Sequence, residues 1–182
     1  MENWVLLDWR SKKEQSLCLC LIMVLLFFLC PTVSPLDDQG KALMSIKASL
    51  RNVANVLLDW DDLHNQDFCS WRGVFCDNSS FSVLSLNLSN LNLGGEISPA
   101  IGDLRNLLSV DFQGNKLTGQ IPDEIGNCRS LVHLELSDNL LNGDIPFSIS
   151  KLKQLEFLNL KNNQLTGPIP STLTQIPNLK TL

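Results

Sequence analysis

The second half of this 182-residue chain repeats itself with a fixed period of 24 residues. The phrase "LTGQIP" at Leu117 returns as "LTGPIP" at Leu165, two periods later. Aligning the chain on this phrase yields four blocks of equal length, which begin at Val83, Leu107, Leu131 and Leu155. An unchanged period over consecutive blocks is typical of a solenoid, in which each unit packs only on its neighbours. An ordinary α/β domain with leucine-rich strands would not keep such a period.

Each block carries the same pattern of apolar and turn residues. Positions 1, 4 and 6 are apolar, as in Leu131, Leu134 and Leu136, which predicts a strand with alternate side chains turned inward. Position 9 is Asn in three blocks, where the amide can satisfy backbone groups as the strand turns away. Position 13 is Gly in all four blocks and position 16 is Pro in three, which favours turns. We therefore predict an α/β leucine-rich repeat solenoid over residues 83–182.

Residues 1–34 have the composition of a secretory signal peptide. A basic stretch with Arg10, Lys12 and Lys13 precedes an uninterrupted apolar run from Leu17 to Cys30. That run of 14 residues is shorter than the roughly 20 that a membrane-spanning helix needs. We therefore expect residues 1–34 to direct secretion, with an uncleaved signal anchor as the alternative.

Residues 35–82 are predicted to form a cap over the first repeat, whose apolar end would otherwise face water. Leu43, Ile46 and Leu50 fall on one helical face after the capping candidates Asp37 and Asp38. A second short helix is expected to turn four apolar residues inward, Val53, Val56, Leu57 and Trp60.

The state of each cysteine outside the signal segment is predicted from its compartment and its position in the repeats. Cys69 and Cys76 are closely spaced in a domain that would reach the oxidising secretory pathway, so we predict a disulfide between them. Cys128 stands at position 22, where the other blocks have Leu or Ile, and is expected to be a small buried apolar side chain. His64 and His133 are too far apart and too few to form a zinc site with it, and we expect no metal and no cofactor.

Two Asn-X-Ser sequons, at Asn78 and Asn87, are candidate glycosylation sites in a secreted chain. Asn78 follows the predicted disulfide, where a glycan fits easily. Asn87 falls on the predicted concave face of the first repeat, where a glycan would steer a partner toward later repeats.

The concave face of the predicted sheet is the candidate binding surface. Positions 3, 5 and 7 of each block point away from the core, and solenoids commonly bind along such a face. Phe157 is an aromatic residue within a polar row and is a candidate anchor, although it could instead pack on its neighbours while the polar row is simply solvated. The ligand-binding candidates are Asp111, Gln113, His133, Glu135, Phe157, Asn159 and Lys161.

Charge and motifs argue against two function classes. The net charge is −5, and no Lys/Arg run lies outside the N-terminal segment, so nucleic-acid binding is not expected. The chain has no Gly-rich phosphate loop with its Lys, no His-Arg-Asp loop, no Asp-Phe-Gly and no G-x-S-x-G. We predict a non-enzyme without catalytic residues.

The cap phrase "CSWRGVFC", the phrase "QIPDEIGNC" and the repeated "LTG.IP" resemble the ERECTA family of plant leucine-rich repeat receptor kinases. The resemblance covers residues 36–182. It implies a plasma-membrane receptor that recognises secreted cysteine-rich peptides together with a leucine-rich repeat co-receptor, in stomatal patterning and organ growth. Membrane attachment would come through the later part of such a receptor.

The last block leaves the biological form of the chain open. The sequence stops four residues into a fifth block that begins at Leu179, so we expect an open, uncapped C-terminal end. The chain is expected to be part of a receptor ectodomain. The alternatives are an independent secreted protein, either a decoy or a relative of polygalacturonase inhibitors, and an incomplete record of a full receptor kinase.

Overall fold

The computed structural model describes residues 37–63 and 67–180. The predicted signal segment, residues 1–34, and His64 lie outside the described residues. Helix α1, Asp38–Ser49, begins where the Asp37 carboxylate accepts a hydrogen bond from the Gly40 backbone N–H at 2.8 Å. This N-cap satisfies one of the free amides of the first turn. The helix buries Leu43 and Ile46, as the sequence predicts.

The rest of the cap is less helical than predicted. Strand β1, Leu50–Arg51, is followed by a single 3-10 turn at Val53–Asn55, because Asn52 adopts a left-handed conformation with φ 64°. Only Leu57 and Trp60 of the four expected inward residues are fully buried, while Val53 and Val56 are partly covered. A second 3-10 turn, Phe68–Ser70, leads into strand β2, Val74–Cys76.

Two tryptophans form the centre of the cap. Trp60 and Trp71 stack with ring centroids 5.6 Å apart, and both are buried. Trp60 donates its indole N–H to the Arg72 carbonyl at 2.9 Å, so its one polar group is satisfied. The stack supplies the cap with an apolar centre of its own.

One five-stranded sheet runs through all the repeats. The strands β3 (Val83–Asn87), β5 (Ser109–Asp111), β7 (His133–Glu135) and β9 (Phe157–Asn159) are parallel, and β2 joins β3 in antiparallel pairing. The register pairs each repeat position with the same position of the next repeat, as in Val110 with Leu134 and Leu134 with Leu158. The predicted leucine-rich repeat solenoid is confirmed.

A second set of strands and a row of 3-10 helices close each repeat. Strands β4 (Gly94–Glu96) and β6 (Lys116–Thr118) pair in parallel, with β1 antiparallel to β4, and β8 (Asn142–Asp144) pairs with β10 (Gln164–Thr166). These strands are not expected from the leucine spacing. The 3-10 helices of consecutive repeats pack on one another in a row, at Pro99–Asp103, Asp123–Asn127, Phe147–Lys151 and Ser171–Gln175.

The Asn residues at position 9 bridge adjacent repeats. Asn139 accepts a hydrogen bond from the Leu117 N–H at 3.1 Å and donates to the Phe112 and Leu136 carbonyls at 2.9 and 3.2 Å. Asn115 and Asn163 make equivalent contacts in their own repeats. The side chains replace backbone partners where the chain leaves the sheet, as predicted.

The apolar core is less covered at the last repeat. Ile121 is 3% exposed, whereas Ile169, at the same repeat position, is 66% exposed. Neighbouring repeats cover Ile121 on both sides, and among the described residues Ile169 has a neighbouring repeat on one side only.

No helix within the described ranges has the length and apolar character required to cross a bilayer.

Cys69 and Cys76 are joined, which confirms the predicted disulfide. Replacing both with alanine is expected to lower the free energy of unfolding by about 2.5 kcal/mol, since the bond closes a short loop and restricts the unfolded chain. Denaturant titration of the secreted protein measures this change.

The free cysteine, Cys128, gives a second test of the cysteine assignment. Its thiol is buried and donates to the Ile101 carbonyl at 3.2 Å, and burial raises its pKa to about 12. Alkylation of the folded protein at pH 8 should therefore leave Cys128 unmodified, and alkylation should reach it only after unfolding. Fast labelling of Cys128 in the folded state would contradict the cysteine assignment.

Candidate functional site

The predicted concave face is built by the sheet β2-β3-β5-β7-β9. Because side chains alternate along a strand, the residues on either side of buried Val110, Leu134 and Leu158 point away from the core. The in-register pairing places these residues in two rows across the strands. One row contains Ser109, His133 and Phe157, and the other contains Asp111, Glu135 and Asn159.

Phe157 and His133 form an aromatic pair on this face. Their rings are parallel within 3°, with centroids 4.3 Å apart, and both side chains are partly buried. Phe157 therefore packs on its neighbour and keeps part of its surface accessible. A flat aromatic surface that is held in place loses little conformational freedom when a partner covers it.

The row at position 5 is tied to the sheet by hydrogen bonds. Asp111 accepts from the Gln113 N–H at 3.1 Å, and Glu135 accepts from the Ser137 N–H at 2.9 Å. Asn159 donates its amide to Glu135 across the strands at 2.9 Å. Glu135 is only 8% exposed, and its carboxylate already accepts hydrogen bonds within the sheet. It is therefore less available to a partner than the sequence pattern suggests.

Lys161 and Gln113 lie beyond the strand ends, where the Asp138 carboxylate accepts hydrogen bonds from neighbouring side chains. Asn162 donates to Asp138 at 2.6 Å and Gln113 donates at 3.5 Å. The Asn162 amide first, and then the Gln113 amide, hold the pKa of Asp138 below its ordinary value. Lys161 is also exposed here, so this end of the face carries the positive charge of Lys161 and the negative charge of Asp138.

Sequence reasoning missed position 8, which carries Asp138 and Asn162. Both residues have a left-handed backbone, with φ of 56° and 55°. Asn, Asp and Gly are the residues that adopt this conformation at least cost. The signal was present, since the four blocks have only such residues here, Asn90, Gly114, Asp138 and Asn162.

Both predicted sequons are at the surface. Asn87 is exposed at the end of β3, where its side-chain oxygen accepts a hydrogen bond from the Ser89 hydroxyl at 2.8 Å and its side-chain NH₂ donates to the Asp111 carboxylate at 3.3 Å. Asn78 is exposed in the connection between β2 and β3. The glycosylation of either residue stays a prediction.

The composition of the concave face is that of a binding surface. In the part of the chain that the structure describes, no three His, Cys, Asp or Glu side chains are grouped as metal ligands. The face instead offers an aromatic surface, amides and a few charges on a hydrogen-bonded sheet. These are the features by which protein and peptide partners are recognised.

Two family models match the chain. The model described as "Leucine rich repeat N-terminal domain" matches residues 36–77, and the model described as "Leucine Rich Repeat" matches residues 106–128, 130–152 and 154–176. Both of these models describe leucine-rich repeat regions, and neither is a kinase domain.

Receptor kinases of Arabidopsis thaliana are similar in sequence. The LRR receptor-like serine/threonine-protein kinase ERL2 is 74% identical over 98 residues, which cover 54% of this chain and 10% of that protein. The kinase ERECTA is 61% identical over 85 residues, which cover 47% of this chain and 9% of that protein. The chain thus spans about a tenth of the length of these relatives.

Solved ectodomain structures share the fold. A chain of the BIR3–SERK2 complex from Arabidopsis thaliana superposes with a TM-score of 0.74 at 36% identity, covering 80% of this chain and 79% of that chain. The Arabidopsis receptor kinase HAESA, solved with the peptide hormone IDA and the co-receptor SERK1, superposes with a TM-score of 0.72 at 32% identity, covering 81% and 26%.

The sequence identity to the receptor kinases is higher than that to the solved ectodomains, and this difference indicates the family of the chain. The two solved ectodomain chains are 36% and 32% identical to it, whereas the kinases ERL2 and ERECTA are 74% and 61% identical over 98 and 85 residues. The chain therefore belongs to the ERECTA family of plant leucine-rich repeat receptor-like kinases, as a segment of their leucine-rich repeat ectodomain.

Proposed function

We propose that this chain is the N-terminal, peptide-binding part of an ERECTA-like receptor ectodomain. Residues 1–34 direct it out of the cell, and its concave face contributes to the recognition of a secreted cysteine-rich peptide in developmental signalling. A leucine-rich repeat co-receptor joins the complex. Similar ectodomains support this proposal, since HAESA is described in complex with a peptide hormone and a co-receptor.

The observation that carries the proposal is the His133–Phe157 pair on the concave face. Most of its surroundings are polar side chains held by short-range hydrogen bonds, as at Asp111 and Asn159. An aromatic surface inside such a polar frame has the composition of an interface hot spot. The exposed ammonium group of Lys161 and the carboxylate of Asp138 supply charges for orientation at the strand ends.

Replacing Phe157 with alanine is expected to weaken peptide binding by about 30-fold, the effect of losing one aromatic hot spot. The full chain is recovered from the medium of secreting plant or insect cells and titrated with a panel of refolded, secreted cysteine-rich peptides. A receptor extended with the later repeats of an ERECTA-family ectodomain is measured in parallel.

The matched control is Phe147→Ala. Phe147 is 64% exposed but lies in a 3-10 helix away from the concave sheet, so its removal should leave peptide affinity unchanged. If Phe157→Ala and Phe147→Ala bind equally well in the extended receptor, the concave face of these repeats is not the peptide site. A chain that never reaches the medium would contradict the extracellular assignment.

A further inference from the structure

Two phenylalanines stand exposed beside a predicted glycosylation site. Phe75 is 59% exposed and Phe81 is 64% exposed, although both adjoin the cap disulfide. Together they border an open groove of about 300 Å³, at the lower end of the range for small-ligand sites. Asn78 itself lines this groove, along with Cys69, Val74, Cys76 and Asp77.

The walls of the groove are held in place by the connection between β2 and β3. The Asp77 carboxylate accepts hydrogen bonds from the Ser79 hydroxyl at 2.6 Å and from the Ser80 N–H and hydroxyl at 2.7 and 2.8 Å. These donors, the Ser79 hydroxyl first, lower the pKa of Asp77 to about 2. The Phe81 N–H closes the turn by donating to the Asp77 carbonyl at 3.0 Å. The groove is therefore formed before any ligand arrives.

Phe81 combines an exposed side chain with an unfavourable backbone conformation. Its φ is +53°, in the left-handed region that a bulky aromatic residue rarely occupies. Such conformations persist where the surrounding structure enforces them, and they cluster at sites that bind ligands. Within the protein, Phe81 gains little apolar burial in return.

We propose that this groove seats the first sugar of an N-linked glycan on Asn78, with Phe75 and Phe81 as its aromatic walls. The inference rests on the proposed extracellular location, because glycosylation occurs in the secretory pathway. In that step the Asn78 amide nitrogen forms a bond to the anomeric carbon of a lipid diphosphate-linked oligosaccharide. The bond from that carbon to the diphosphate oxygen breaks, the lipid diphosphate leaves, and the amide loses one proton to solvent.

The chemistry of the sugar fits the groove. One face of an N-acetylglucosamine ring presents C–H groups, which are apolar and slightly positive, and the face of a phenyl ring carries negative charge density. Because the sugar is covalently attached at the rim, its effective concentration is high and little entropy is lost on docking. The sugar thereby covers two apolar side chains that would otherwise contact water.

The test compares three forms of the full secreted chain. The first carries its oligomannose glycans, the second is trimmed by an endoglycosidase that leaves one N-acetylglucosamine, and the third is Asn78→Gln. The first two forms should melt at the same temperature, and Asn78→Gln should melt about 2 to 4 °C lower, the shift expected for one small contact in a domain of this size. Asn87→Gln is measured as the control for the second sequon.

Substitution of the aromatic walls separates docking from a general effect of glycosylation. In Phe75→Leu and Phe81→Leu, which keep an apolar side chain without a ring, the difference between the one-sugar form and Asn78→Gln should shrink below 1 °C. Phe147→Leu, an equally exposed phenylalanine at a distant site, should keep the full difference. Unchanged differences in the Phe75 and Phe81 variants would overturn the inference.

Occupancy of Asn78 distinguishes this inference from the proposed function. A secreted chain with Asn78 unmodified, or with a glycan that does not affect melting, overturns the sugar seat and leaves the receptor assignment intact. A chain that stays in the cytosol with both sequons unmodified overturns the extracellular proposal and the sugar seat together.

Discussion

Replacing Asn139 with alanine is expected to lower the free energy of unfolding by about 1 to 3 kcal/mol. The substitution leaves the Leu117 N–H without its acceptor, in a buried position between two repeats, whereas the Phe112 carbonyl keeps the hydrogen bond from Asn115. Each unsatisfied buried backbone group costs about 1 to 3 kcal/mol. The loss is a large share of a total stability of roughly 5 to 15 kcal/mol.

Denaturant titration of the full chain measures this loss, and Asn142→Ala is the matched control. Asn142 lies three residues further along the same repeat but is exposed in β8, so its side chain is expected to matter by less than about 0.5 kcal/mol. Equal stability of the Asn139 and Asn142 variants would show that the position-9 amides do not hold the repeats together. Asn139→Asp adds a further check, because it keeps an acceptor for the Leu117 N–H and removes the donors.

The repeats could be predicted because their determinants are local and are repeated. Leu134 and Asn139 stand at fixed distances from each other in the chain, and each contact they make recurs one period away. One repeat therefore specifies the next. The second strands have only one periodic apolar residue within or directly before each of them, Leu93, Leu117, Leu141 and Leu165. A single position shows no alternation, and the pairing of these strands depends on backbone groups of the neighbouring repeat.

The candidate site could be predicted only in outline. The alternation of a strand predicts that His133, Glu135 and Phe157 share one face, and the structure places them there in register. The alternation alone cannot predict that Phe157 stacks on His133 or that Asn159 donates a hydrogen bond to Glu135. These contacts depend on which residues neighbouring repeats place side by side. The groove at Phe75 and Phe81 depends on the fold of the cap, for which the sequence has no repeat to compare.

The remaining large effect concerns the junction between the cap and the first repeat. Gly95→Ala is expected to lower the free energy of unfolding by about 2 to 5 kcal/mol. Gly95 has φ +92°, and a Cβ there would lie 2.2 Å from the Ser49 carbonyl oxygen and 2.9 Å from the Leu50 Cα. Both atoms are backbone atoms where α1 ends and β1 begins, and β1 pairs with β4 through Leu50 and Gly95. The cap would have to move away from the first repeat to admit the methyl group.

Gly167→Ala separates the collision from the cost of the left-handed backbone. Gly167 occupies the same repeat position with φ +73°, but its added Cβ would meet the Asp144 carboxylate, an exposed side chain that can rotate away. Its substitution should cost only about 1 to 2 kcal/mol. Both variants are unfolded in denaturant as the full secreted chain, with the intact Cys69–Cys76 disulfide confirmed by mass spectrometry. An equal loss in the two variants would mean that the cap does not depend on close backbone contact at Gly95. A larger loss at Gly95 would show that the missing side chain lets the cap seal the apolar end of the solenoid.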